Sequence, residues 1–266
     1  MSTITAAPGH EVASPGLIAR YHFLFRRLHS LTGILFGLYL FVHLGVNATL
    51  AEGARGGVGP DGQPVATVFQ QQVDKIHSLP FLLFIEIAFL YAPLIYHTLY
   101  GFWIIYTGQP NVGRYGYTRN WLYILQRISA LIIVLFAAFH IFTMKGWLPG
   151  TFADVLEFKA NAATESTARH LYSAWWIWAV TYPIGVLASA FHTANGFYGA
   201  AITWGLTISA TAQKRWGAFC AILGVGLLAA GMTALIFGVI AAQKLPAETT
   251  PEEPNIDRIH ATSSAS

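Results

Sequence analysis

Five long apolar runs dominate this sequence, at about Leu28–Ala48, Leu79–Tyr106, Trp121–Met144, Leu171–Ile202 and Trp216–Ala242. As helices rising 1.5 Å per residue, each is long enough to cross a hydrocarbon layer ~30 Å thick. With 55% apolar and only 10% charged residues, the chain is too hydrophobic for a soluble domain. The expectation is an all-α, integral membrane bundle of five transmembrane helices. The net charge of +3 comes without a basic block, so no nucleic-acid partner is suggested. Cys220 is the one cysteine and falls inside the last run, where it reads as a small core residue. No C-x-x-C-H motif for covalent haem attachment is present.

Two of the runs carry the same motif, His97-Thr98-Leu99-Tyr100-Gly101-Phe102 and His192-Thr193-Ala194-Asn195-Gly196-Phe197. Histidine in hydrocarbon is costly and needs a partner, and neutral imidazole is a common metal ligand. The glycine four residues on lies one turn away on the same face and leaves room for something flat and bulky. Haem is the candidate that fits.

Charge in the loops sets an expected orientation. Arg20, Arg26, Arg27, Arg114, Arg119, Arg127, Lys214 and Arg215 cluster at the ends of spans on one side, where Glu11 is the only acid. Arg55, Lys75, Lys145, Lys159, Arg169, Lys244 and Arg258 lie on the other side among Glu52, Asp61, Asp74, Asp154, Glu157, Glu165 and an acidic tail. The positive-inside rule then places the N-terminus in the cytoplasm and the tail outside. On this topology His43, 16 residues past Arg27, and His140, 13 past Arg127, stand ~24 and ~20 Å up from the inner arginines. His97, 22 residues past Lys75, and His192, 23 past Arg169, stand ~33 and ~34 Å from the outer charges. Depth sorts the four into an outer pair, His43 with His140, and an inner pair, His97 with His192. One intramembrane histidine serves packing as readily as ligation. Four at two matched depths on successive spans point to two bis-histidine haem b groups stacked across the bilayer.

Other polar residues fall around this arrangement. His29 precedes His43 by 14 residues, and Gln126 precedes His140 by the same 14, within ~40° of the same helix face. With Ser30, Arg26, Arg27 and Arg127, His29 is a candidate to hold the inner haem's propionates by charge-assisted bonds. Pro93 and Pro183 are expected to kink spans two and four. Glu86, the one carboxylate well inside a span, is 11 residues before His97 and a candidate proton acceptor. His77 and Lys75 at the outer mouth of span two are weaker candidates.

The runs R-R-L-H-S (Arg26–Ser30), V-H-L-G-V-N (Val42–Asn47), L-I-Y-H-T-L-Y-G (Leu94–Gly101), Y-T-R-N-W-L-Y-I-L-Q-R (Tyr117–Arg127), F-H-I-F (Phe139–Phe142), F-H-T-A-N-G-F (Phe191–Phe197) and T-W-G (Thr203–Gly205) resemble the type B succinate:quinone oxidoreductase membrane subunit. This is the dihaem cytochrome b of succinate dehydrogenases and fumarate reductases, and the likeness runs from about Arg20 to Leu235. It implies axial histidines at His43 and His140 for an outer haem and at His97 and His192 for an inner one, with His29 and Ser30 near the inner propionates. It also implies flavoprotein and iron–sulfur partners, with electrons passing through this subunit to or from a quinone, usually menaquinone. No Rossmann glycine fingerprint and no iron–sulfur cysteine set are present here, so the dicarboxylate site belongs to the partners. The expected setting is a bacterial inner membrane.

Two other readings stay open at this stage. A dihaem cytochrome b of another dehydrogenase, such as hydrogenase or formate dehydrogenase, keeps the haems and changes the partner. A haem-free transporter or structural membrane protein uses the histidines for protons or packing. The expected organisation is a disordered lead over residues 1–20, a transmembrane domain over 21–243 and a solvated acidic tail over 244–266, with a glycine-rich, flexible outer loop around Gly53–Gly62.

Overall fold

A computed structural model describes residues 21–53, 68–148 and 155–245. The expected disordered lead, most of the glycine-rich loop and nearly all of the acidic tail lie outside these residues. Within them the chain is all-α, with no strand. Helix α1 runs His22–Ala48 and is followed by a single turn, α2, at Leu50–Gly53. A short amphipathic helix α3 (Val68–His77) precedes α4 (Leu82–Thr107), and α5 spans Thr118–Met144. A second amphipathic helix α6 (Ala163–Tyr172) precedes α7 (Ile177–Thr203), and α8 (Ala210–Gln243) closes the described chain. Five of these, α1, α4, α5, α7 and α8, are long and apolar enough to cross a membrane, and the protein is a multi-pass membrane protein.

The helix limits differ from the apolar runs for identifiable reasons. Helices α1, α5 and α8 start earlier, because Arg26, Arg27, Arg119, Lys214 and Arg215 continue the helix out of the apolar layer. The second span starts at Leu82 rather than Leu79: Pro80 disfavours helical geometry at the residue before it, and Phe81 takes a left-handed φ of 57° at the turn. The fourth starts at Ile177 rather than Leu171. Leu171, only 4% exposed, belongs to α6, and the chain bends at Ser173–Ala174 before re-entering as α7. Pro93 and Pro183 each follow a π-helical turn, Ile87–Tyr91 and Ile177–Thr181. The wider turn accommodates the backbone just ahead of a residue that has no N–H to donate.

Helices α1, α4, α5 and α7 form a four-helix ring. Helix α1 packs on α4 and α7, α7 packs on α5, and α4 and α5 touch only slightly. Helix α8 lies outside the ring against α1, α7 and α6. We call the end where α1 begins the near end and the opposite one the far end. Large apolar side chains such as Leu135, Ile222 and Val225 point outward, as lipid requires. Lipid tails are as apolar as the helices, so association depends on close packing rather than on burial from water. Glycine supplies it along α8: a Cβ at Gly224 would stand 2.9 Å from Ala194 Cβ, one at Gly231 2.5 Å from Val186 Cγ1, and one at Gly238 2.5 Å from Leu171 Cδ1. Those three seats recur every seven residues and fix α8 against α7 and α6. Cys220 is buried in α8, as its place in an apolar run suggests.

Gly231→Ala is expected to destabilise the bundle by ~1–3 kcal/mol through overpacking. Gly226→Ala, where an added Cβ meets nothing within 4 Å, is expected to leave stability unchanged. Thermal unfolding in detergent with both variants side by side checks this; equal melting temperatures would show that α8 is not held by close approach.

Candidate functional site

The four intramembrane histidines meet in two pairs inside the ring. At the near end the His97 and His192 ring centres are 6.2 Å apart with planes at 82°. At the far end those of His43 and His140 are 5.9 Å apart at 78°. The pairing is the one that depth along the spans suggests, and each pair joins α4 to α7 or α1 to α5 across the ring.

Small residues make room for the near pair. Gly33 and Gly37, one turn apart on α1, seat the His97 ring and the Phe197 ring; a Cβ at these positions would stand 2.6 and 2.7 Å from them. His97 Nδ1 donates to the His29 carbonyl at 3.0 Å, and the two imidazoles stack at 4.0 Å between centres with planes 10° apart. His192 Nδ1 is shared between the Gln126 carbonyl at 3.2 Å and Ser129 Oγ at 3.3 Å. The Gln126 side chain braces the same helix, donating to the His192 carbonyl at 3.1 Å and accepting from Asn195 Nδ2 at 2.8 Å. Gly101 and Gly196 therefore face His29 and Gln126, with 3.5 Å and 3.7 Å from an added Cβ to those side chains.

The far pair is held by hydroxyls. His43 Nδ1 lies 3.3 Å from Tyr39 Oη, one turn back on α1. His140 Nδ1 lies 3.0 Å from Tyr182 Oη on α7, and Tyr182 donates in turn to His170 Nε2 at 2.8 Å. His170 Nδ1 donates to the Leu156 carbonyl at 2.9 Å. His170 is fully buried, and burial pushes its pKa below the ordinary histidine value. In all four paired histidines Nδ1 is engaged, while no hydrogen bond within the described residues reaches Nε2. A hydrogen bond at one ring nitrogen sets which of the two is left as a lone-pair donor, so these imidazoles are prepared to ligate through Nε2. No group of three or more His, Cys, Asp or Glu residues among the described residues is arranged to hold a metal ion by itself.

Cationic groups crowd the near end without carboxylate partners among the described residues. Arg27 lies 4.7 Å from the ring centres of both Phe23 and Trp204, and Trp204 Nε1 donates to Ser30 Oγ at 3.1 Å. Arg127 stacks 3.3 Å over Tyr123 and donates to its carbonyl at 2.9 Å. Nε of Arg27, Nε of Arg127 and Nδ1 of His29 are buried with no hydrogen-bond partner among the described residues, a costly state that an anionic acceptor would relieve. Ser30 is thus engaged with Trp204 at the end of α7, whereas Nδ1 of His29 is unused among the described residues.

Glu86 sits on α4 at the far end, immediately before the π turn, and no hydrogen bond or ion pair within the described residues reaches its carboxylate. It is within electrostatic range of Tyr39, the residue that meets His43. His77 ends α3 with its ring stacked on Phe158, 6.5 Å between centres. Tyr39, Ser129, Tyr182 and His170 complete the surroundings of the pairs and are absent from the candidates that motifs suggest. Tyr39 is legible as the i−4 neighbour of His43. Tyr182 and His170 reach His140 only through contacts between helices.

No family model matches the chain. It is 33% identical over 214 residues to the succinate dehydrogenase cytochrome b558 subunit of Bacillus subtilis (strain 168), an alignment that takes in 80% of this chain and 95% of the relative. Likeness of that extent reaches from end to end of the relative and takes in most of this five-span bundle. The chain belongs to the family of succinate dehydrogenase cytochrome b membrane subunits.

Proposed function

We propose that this chain anchors a succinate dehydrogenase complex in the bacterial inner membrane and carries electrons between its iron–sulfur subunit and menaquinone, using two bis-histidine haem b groups. The observation that carries the reading is the pair of opposed imidazoles at each end of the ring, every one with Nδ1 engaged and Nε2 unengaged. The residues fit such a group. Two metal–imidazole bonds of about 2 Å put opposed ring centres about 6 Å apart, and the two pairs stand at 5.9 and 6.2 Å. Two imidazoles per site suit a metal whose remaining positions a macrocycle fills. Bound haem b supplies one-electron redox chemistry.

The chain's own residues divide the remaining work. His97 and His192 hold the near group, and His43 and His140 the far one. The orphaned Nε atoms of Arg27 and Arg127, with Nδ1 of His29, suit propionates at the near end. Ser30 supports that edge through Trp204. The basic near end, with Arg26, Arg27, Arg114, Arg119, Lys214 and Arg215, corresponds to the cytoplasmic side under the positive-inside rule and suits docking of the iron–sulfur and flavoprotein subunits. Glu86, uncompensated and close to Tyr39, accepts a proton when quinol is oxidised at the far end.

His→Ala at each of the four positions, read by haem content per chain, tests the ligand assignment. Each variant is expected to lose one of two haems, with His43 and His140 affecting the same one and His97 and His192 the other; full haem in all four would overturn the assignment. Glu86→Gln is expected to abolish quinone-linked succinate oxidation while leaving haem content and dye-linked oxidation at the wild-type level. Unchanged quinone-linked turnover would remove Glu86 from the reaction.

A further inference from the structure

The far pair differs from the near pair in what lies behind one of its imidazoles. A chain of three hydrogen bonds crosses four segments: the Leu156 carbonyl, His170 on α6, Tyr182 on α7 and His140 on α5, at 2.9, 2.8 and 3.0 Å. Its direction follows from its first member. A carbonyl oxygen can only accept, so His170 Nδ1 carries a proton. His170 is buried and neutral, hence its Nε2 is a lone pair that accepts from the Tyr182 hydroxyl. With that proton spent, Tyr182 Oη accepts from His140 Nδ1–H. His140 Nε2 is left as the lone pair facing His43. We propose that Tyr182 and His170 are positioning residues that fix the tautomer of His140 from helices other than its own and set the redox potential of the group it ligates; this rests on the haem reading above.

Three further observations support the role. Tyr182 is the first residue after the π turn Ile177–Thr181, the kind of insertion that resets which side chains face inward and is frequent at functional sites. The Tyr182 and His140 rings meet edge to face at 5.9 Å, and those of Tyr182 and His170 at 5.6 Å, so the hydroxyl is confined between the two imidazoles. Helix α6 packs against α8 through Leu171 and Gly238, which anchors His170 independently of the ring. Chains of hydrogen bonds polarise one another, so a phenol that donates to His170 becomes a better acceptor for His140. An Nδ1–H bond to a stronger acceptor makes the imidazole more basic, which favours the oxidised metal and lowers the potential.

Potentiometric titration of the purified complex, wild type against Tyr182→Phe and His170→Leu, tests this, with the far haem identified as the one lost in His43→Ala. Tyr182→Phe is expected to keep two haems and move the far haem to higher potential with the near haem unmoved. His170→Leu, which does not touch His140, is expected to move it the same way by less, and His170→Gln, which retains a donor and an acceptor, to restore it in part. A shift in the far haem's low-spin electron paramagnetic resonance signal is expected to accompany the change. If Tyr182→Phe fails to assemble, the comparison of His170→Leu with His170→Gln decides. Wild-type potentials in Tyr182→Phe, equal shifts of both haems, or no difference between the His170 variants would each overturn the proposal. Wild-type complex without haem would instead overturn the reading on which it rests.

Discussion

An imidazole placed in hydrocarbon has to dispose of its N–H, and the interior of this bundle is arranged around how four of them do so. Two use backbone carbonyls, His97 on His29 and His192 on Gln126. Two meet phenols, His43 at Tyr39 and His140 at Tyr182. Each bond holds the ring in one orientation and leaves the opposite nitrogen without a hydrogen bond among the described residues. Were Nδ1 unbonded, the buried donor would carry a desolvation cost of ~1–3 kcal/mol per site, and nothing would choose between the two nitrogens. The hydrogen bond therefore serves stability and the orientation of the imidazole together.

Such bonds need helices at close quarters, and the glycines provide that. Gly33 and Gly37 let His97 and Phe197 press against the α1 backbone, and Gly185 receives the Phe136 ring, whose atoms would lie 2.4 Å from an added Cβ. Those seats draw α1 to α4 and α7, and α5 to α7, leaving α4 and α5 in slight contact. At the far end the cover is polar as well as apolar. Gln70 on α3 donates to the Ala160 carbonyl and accepts from the Ala163 amide, both at 2.7 Å, pinning the two amphipathic segments together over the buried His170.

Much of this was legible before any coordinates. Run length revealed five spans, and residue counts from the flanking charges ranked the histidines by depth, because helical rise is uniform in a straight span. The matched spacing of His29 and Gln126 pointed to equivalent positions below the far histidines; their carbonyls accept from His97 and His192, while the His29 ring stacks on His97 and the Gln126 amide donates to the His192 carbonyl. What stayed hidden depends on departures from uniform helix. Leu171 is as apolar as its neighbours, and only the amphipathic pattern of α6 and the break after it separate it from α7. Tyr182 faces His140 by virtue of a π turn, which no residue count anticipates, and His170 lies in a segment with no motif of its own. The orphaned nitrogens of Arg27 and Arg127 depend on stacking against Phe23, Trp204 and Tyr123, a matter of side-chain placement rather than pattern.

Helices α1 and α5 each serve both ends of the ring. On α1, His43 belongs to the far pair, and the His29 carbonyl, 14 residues earlier, accepts the hydrogen bond of His97. On α5, His140 and Gln126 do the same. A helix of that length is a stiff rod of ~21 Å between the two points. Sliding or rotating either rod displaces a paired imidazole at one end and an acceptor at the other in a single movement. The two centres are mechanically tied, and neither can be reshaped by moving α1 or α5 without disturbing its counterpart.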